Sequence, residues 1–151
     1  MSEKLEFLEK KGEIYVFKIP RGFYYTEHDS WGKIEGSLVR VGVTDYIQRM
    51  VGDMLFVEFM VSAGDVVDQF REIARYEGLK SVMELESPIG GKIVEINQEV
   101  IDNPEIINKD PYRKGWFAII SPTNLEKELG NLLKDLEFFQ LISKRVDEMR
   151  S

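Results

Sequence analysis

Cysteine is missing from the 151 residues, which removes disulfide staples, thiolate nucleophiles and Cys-ligated zinc or iron–sulfur centres. Histidine occurs once, at His28, so a His-rich metal site is excluded as well. Long apolar runs are lacking: stretches such as Met54 to Val57 fall far short of the roughly 18 residues that a membrane helix needs. Positive charge is in deficit, with 20 Lys plus Arg against 27 Asp plus Glu. The resulting net charge of −7 repels nucleic-acid phosphates, because the basic residues are scattered among acids. Met1-Ser2-Glu3-Lys4 carries neither an apolar signal core nor an Arg-rich, acid-poor transit pattern. The expectation is a cytoplasmic protein with no membrane and no nucleic-acid partner. What is present is 43% apolar residues in a length common for one domain, enough for a real interior.

Short β-branched and aromatic runs punctuated by Gly and Pro predict a mostly β chain. Residues 1–11 alternate charge with Leu5, Phe7 and Leu8, which suits a short helix or a mobile arm. Glu13 to Ile19 reads as a strand stopped by Pro20-Arg21-Gly22, and Phe23 to Thr26 as a second short one. Ser37 to Val43 alternates with period two, which buries Val39, Val41 and Val43 opposite Leu38 and Arg40. Asp45 and Gln48 have the spacing of a helix-start box and Gly52 that of a stop, giving a helix of about two turns. Met54–Met60, Glu72–Tyr76, Val82–Glu86, Lys92–Ile96 and Gly115–Ile120 read as further strands, with a turn at Ala63-Gly64-Asp65. Thr123 and Glu126 form a capping-box pair. Leu125, Leu129, Leu132, Leu133, Leu136, Phe139, Ile142, Val146 and Met149 then recur at three or four, predicting an amphipathic helix that packs its stripe on the sheet, with a break near Gly130. The implied organisation is an N-terminal extension over 1–22 with room for an added strand, a β domain over 23–122 and a helical segment over 123–151.

Catalytic groups are hard to find. Gly90-Gly91-Lys92-Ile93 lacks the first glycine of a phosphate loop, and Ile93 cannot ligate magnesium where Ser or Thr should stand. His28 has Asp29 and Ser30 beside it, but no serine sits in a G-x-S-x-G elbow, so a structural histidine is the simpler reading. Carboxylate pairs can be drawn freely from 27 acids and point nowhere in particular. One feature resists a bland account. Lys80 falls at the tip of a hairpin, with Glu77 three residues before it and a second tight turn, Pro88-Ile89-Gly90-Gly91, shortly after.

That hairpin sits within a longer ordered set. Thr26-Glu27-His28-Asp29-Ser30-Trp31 is followed by Val41-Gly42-Val43-Thr44-Asp45-Tyr46, by Gly52-Asp53-Met54-Leu55-Phe56-Val57-Glu58-Phe59 and by Glu77-Gly78-Leu79-Lys80. Then come Val94-Glu95-Ile96-Asn97, Asp102-Asn103-Pro104-Glu105-Ile106-Ile107-Asn108, and Asp110-Pro111-Tyr112 through Gly115-Trp116. From about Tyr25 to Ile142 the arrangement resembles the glycine cleavage system H-protein family, lipoyl carriers that shuttle an aminomethyl group. The resemblance implies a mostly β, α+β fold: a lipoyl-domain-like hybrid of two small antiparallel sheets, with a short internal helix and a C-terminal amphipathic helix.

The resemblance also implies lipoate joined by an amide to Lys80, with Glu77 recognised during lipoylation. Glu84, Asp29 and His28 are then the residues of the cleft in which the amine-loaded arm rests. The implied partners are glycine decarboxylase, aminomethyltransferase and lipoamide dehydrogenase, with a lipoate ligase or lipoyl transferase to load the arm onto a monomeric carrier that itself catalyses nothing. Some positions depart from the family pattern. His28 is separated from Trp31 by Asp29 and Ser30 where His-Glu-Trp is common, Gly78 replaces a serine, and Phe70-Arg71 replaces a Gly-Asp turn. These departures keep open a lipoate-binding carrier of a heterodisulfide-reductase-like sulfur-oxidation pathway, and a structural module if Lys80 is never modified.

Overall fold

The computed structural model describes residues 4–149. Its strands fall into three antiparallel sheets. The largest has seven strands, ordered β12 (Leu133–Lys134), β3 (Tyr24–Tyr25), β4 (Ser30–Glu35), β5 (Leu38–Val43), β11 (Ala118–Pro122), β10 (Gly91–Ile96) and β7 (Val66–Val67). A three-stranded sheet is ordered β6 (Met54–Phe59), β8 (Glu72–Gly78), β9 (Val82–Glu86), and a two-stranded sheet joins β1 (Phe7–Lys11) to β2 (Val16–Pro20). Helices α1 (Asp45–Val51), α2 (Gln98–Asp102), α3 (Glu105–Lys109), α4 (Leu125–Leu129) and α5 (Asp135–Glu148) complete the chain.

The main core lies between the two larger sheets. Val39, Val41 and Val43 are buried as the period-two pattern requires, and Ile73, Tyr76, Leu85, Ile93, Phe117 and Ile120 join them with Ile47 and Val51 of α1. Gly42 breaks the valine run for a steric reason: a Cβ there would lie 2.7 Å from the ring of Trp31 on β4. Trp31 is fully buried, and its indole N–H donates to the carbonyls of Val43 at 2.9 Å and Pro111 at 3.2 Å.

A second cluster joins the two ends of the chain. Phe17, Ile19, Phe23, Tyr25, Trp31 and Tyr112 pack with Phe138, Ile142 and Val146 of α5. The Tyr112 hydroxyl accepts from the Asp45 N–H at 2.8 Å and donates to the Lys18 carbonyl at 2.7 Å. Tyr25 stacks on Phe138 with centroids 4.4 Å apart, and its hydroxyl donates to the Pro20 carbonyl at 2.6 Å.

Several expectations change. Residues 7–11 form a strand, neither a helix nor a mobile arm: a turn at Gly12, whose N–H donates to the Tyr15 carbonyl at 2.8 Å, folds β1 onto β2. The cap of α1 is Thr44, one residue early, whose side chain accepts from the Ile47 N–H. This frees the Asp45 carboxylate to accept from Gln48 Nε2 and the Lys18 N–H. The last core strand begins at Ala118, because Gly115 is drawn into a turn closed by its bond to the Asp110 carbonyl. The C-terminal segment is two helices, divided at Gly130 where the sequence placed a break. Asn124, without a side-chain bond, precedes α4, so the Thr123 box does not form; Gly130 ends α4, and β12 pairs with β3 before α5 starts. The buried stripe of α5 is Phe138, Ile142 and Val146, and it is covered by β1, β2 and β3.

Truncating the stacked phenylalanine tests the second cluster. Phe138→Ala should lower stability by about 3–5 kcal/mol in urea unfolding, the usual cost of emptying a large aromatic site; a loss below about 1 kcal/mol would mean the cluster contributes little.

Candidate functional site

Lys80 occupies the tip between β8 and β9 with its side chain exposed, and among the described residues no carboxylate pairs with its ammonium. The tip itself is held at three successive amides. Gly78 N–H donates to the Ser81 carbonyl at 3.0 Å, Leu79 N–H to Asp53 at 3.1 Å, and Lys80 N–H to Val51 at 2.9 Å. Two of these acceptors belong to the end of α1 and the turn that follows. Close approach explains the glycine at residue 78: a Cβ there would run into the Val51 carbonyl oxygen. Gly52, which ends α1, has φ +81°, a left-handed conformation that side chains disfavour.

The sequence reading missed the residue that fixes this turn. Asn108 at the end of α3 accepts from the Met54 N–H at 2.8 Å and donates to Gln48 Oε1 at 2.9 Å and the Gly52 carbonyl at 3.0 Å. All three bonds lie behind the lysine tip. The readable signal was an Asn among apolar Ile106 and Ile107 in a segment taken as a family landmark only.

Along the hairpin the acids are graded by position. Glu77 faces solvent beside the tip, in register with Phe56 on one side and Val82 on the other. Glu84, opposite Arg75, lies two residues into β9 and four after Lys80. Glu84 lies beside Glu72, and sharing a proton with it, together with the repulsion of like charges, raises the Glu72 pKa from its ordinary value. The Glu86 carboxylate, two residues further on, accepts from His28 Nδ1 at 3.0 Å, which places the ring proton on that nitrogen. A cleft of about 450 Å³ opens there, lined by Tyr25, Thr26, Glu27, His28, Phe70, Glu86, Asn131 and Leu133. Glu72 and Glu86 were absent from the sequence-based set; the alternation Glu84-Leu85-Glu86 was the available clue.

Asp29 is placed elsewhere than the resemblance suggested. Within the His28 to Trp31 segment Asp29 takes φ +70°, and its carboxylate is buried. There it accepts from Arg145 of α5 at 3.1 and 3.2 Å and from the Thr44 hydroxyl at 3.2 Å, while Arg145 also donates to the Glu27 carbonyl at 2.6 Å. The structure thus brings His28 to the cleft with Glu86, sets Glu84 on the approach from Lys80, and turns Asp29 inward. Burial pushes the Asp29 pKa up from 3.8 to about 6, against the opposing pull of the Arg145 charge and the Thr44 bond.

Comparison with known proteins gives a consistent result. The family model for the glycine cleavage H-protein matches residues 23–145. A glycine cleavage system H protein from Halalkalibacterium halodurans is 37% identical over 126 residues, covering 83% of this chain and 97% of the relative. A probable glycine cleavage system H protein from Pyrococcus furiosus is 41% identical over 122 residues, covering 80% and 90% respectively. Among solved structures, a glycine cleavage system H protein from Mycobacterium marinum superposes with a TM-score of 0.64 at 31% identity, over 75% of this chain and 98% of that one.

The Asp29–Arg145 pair has a pH signature. The folded pKa lies above the ordinary 3.8, so ionised Asp29 costs stability above about pH 6, and that cost fades as pH falls toward 4. Removing the arginine enlarges the cost of the ionised form. Arg145→Met should therefore destabilise the protein by on the order of 2–3 kcal/mol at pH 7.5 and by clearly less at pH 5, read as urea midpoints. Equal losses at both pH values would show that the charge pairing is not what matters.

Proposed function

Because the chain belongs to the glycine cleavage H-protein family, we propose that it works as the lipoyl carrier of that system, with the arm amide-linked to Lys80. The observation that carries this reading is an exposed lysine with no carboxylate partner among the described residues, on a tip whose backbone is held at three amides. A residue meant to be acylated by one protein and then presented to others needs this combination of a free amine and a fixed base. When bound, the lipoyl group supplies a dithiolane whose sulfurs perform thiol chemistry that a chain without cysteine cannot.

The chain's own residues hold and position. Acylation removes the positive charge of Lys80. Glu84, Glu72 and Glu86 then offer carboxylates along the route from the tip to the cleft, where a primary ammonium cargo gains charge-assisted hydrogen bonds. His28, on Glu86, is the polar group already seated at that end. Asp29 and Arg145 shape the cleft wall by fixing the loop from Glu27 to Ser30, and touch no cargo. The remaining acidic surface favours partners with basic clefts through electrostatic steering, which suits a carrier that docks transiently. In this reading those partners are glycine decarboxylase, aminomethyltransferase and lipoamide dehydrogenase, served by a monomeric carrier that turns over nothing alone.

Reconstitution tests the reading. Wild-type protein incubated with lipoate, ATP and a lipoate ligase should gain the lipoyl mass at Lys80 and support glycine-dependent carbon dioxide release with the three partner enzymes, and Lys80→Arg should abolish both. Carbon dioxide release at background from lipoylated protein whose arm is still reduced and reoxidised would shift the assignment to a sulfur-oxidation carrier. A lipoyl mass retained in the Lys80 variant would remove the lysine from its role.

A further inference from the structure

The end of the three-stranded sheet nearest Lys80 exposes large apolar side chains. Leu79 is 68% exposed, Leu55 54%, Phe56 51% and Val82 50%. Register makes them neighbours. Phe56, Glu77 and Val82 form one row across β6, β8 and β9, and Leu79 is tied to the start of β6 through its bond to the Asp53 carbonyl. A bulge between Met54 and Phe56 explains how two consecutive apolar side chains, Leu55 and Phe56, both remain outside the core. Such a patch contributes little to folding and marks a contact surface. Glu77 stands between Phe56 and Val82 in that row, and Asp53, Glu58, Arg75 and Glu84 lie around it.

We propose that this apolar collar is the docking surface for the enzyme that acylates Lys80, and that users of the loaded arm do not depend on it. The inference rests on the carrier reading above. Reach decides the occupant. Unmodified lysine has only a four-carbon stem, so its nitrogen enters another protein's active site only if the mouth of that site seats on the surface around residue 80. That surface is the collar. Once the acyl chain is attached the reactive end lies far from the tip, and a partner reaches it without covering Phe56 or Val82. The occupant's mouth is accordingly apolar with a basic rim, complementary to the acids around the collar. Within it the uncharged Lys80 nitrogen attacks the carbonyl carbon of an activated acyl donor. A C–N amide bond forms, the bond from that carbon to its leaving group breaks, the leaving group departs as an adenylate or a thiol, and the nitrogen releases one proton.

The test compares loading with use. A Phe56→Thr, Leu79→Ser, Val82→Thr triple variant keeps strand-compatible residues at the two strand positions, and matching circular dichroism and urea midpoints confirm its fold. With lipoate, ATP and limiting lipoate ligase, its acylation kcat/KM should fall at least tenfold below wild type. The same variant, driven to full acylation by prolonged incubation, should be reduced by lipoamide dehydrogenase and NADH within twofold of the wild-type rate. A control with Val66→Thr and Val94→Thr, exposed apolar residues on β7 and β10 of the seven-stranded sheet, should be acylated normally. Wild-type acylation of the triple variant overturns the proposal, and so does a parallel loss of acylation and arm reduction, which would make the collar a general docking face. Failure of the wild-type protein to be acylated is a different result, and it defeats the carrier reading on which the proposal stands.

Discussion

The hydrogen bond from the Lys80 amide to the Val51 carbonyl ties the exposed tip to the end of a helix, and much of the surrounding sequence follows from it. The two backbones approach so closely that residue 78 has no room for a side chain, and α1 must stop in a left-handed turn at Gly52. The carbonyls exposed at a helix end need partners. Asn108 supplies one by spending its whole amide on Gly52, Met54 and Gln48. Gln48 in turn donates to Asp45, and Asp45 accepts from Lys18 of β2. A continuous hydrogen-bonded chain thereby runs from the N-terminal hairpin, through α1, to the base of the lysine tip.

The same economy joins the chain's two ends. The hairpin β1–β2 lies outside the residues matched by the family model, yet its Phe17 and Ile19 share a core with α5. Lys10 on that hairpin meets Asp147 on α5 at 2.9 Å, an exposed pair worth little by itself. The buried aromatic contacts provide the larger contribution. By holding α5 in place they also hold Arg145 against Asp29, so the wall of the cleft depends on residues distant in sequence and partly beyond the shared family region.

What the sequence made legible follows from the range of the physics involved. Val39, Val41 and Val43 announce a strand because alternation is local, and Lys80 stands at a tip because two extended runs meet at Gly78-Leu79-Lys80-Ser81. Tyr112 bonding both Asp45 and Lys18 is invisible by the same reasoning, since nothing in its neighbours encodes a contact across the fold. The short helices α2 and α3 carry too little periodicity to be recognised, with Val100 and Ile107 as their buried residues. Asp29 shows the limit most clearly. Its carboxylate is buried against Arg145 of α5, and spacing alone could not tell a cleft acid from a buried one. Glu86, His28 and the cleft between them required the hairpin and the His28 loop to be placed side by side.

The three tip amides have a consequence for how the backbone would be seen by solvent. Loop-tip N–H groups ordinarily exchange with water almost freely, yet those of Gly78, Leu79 and Lys80 are each donated to a carbonyl, two of them beyond the hairpin. The protons of Leu79 and Lys80 can leave only when the hairpin separates from the end of α1, so their shared protection reports the opening of that junction, whereas that of Gly78 reports the turn itself. A deuterium label would find the tip slow and the lysine side chain fast: the motion a swinging arm needs begins at the Lys80 Cβ, and the main chain beneath it stays still.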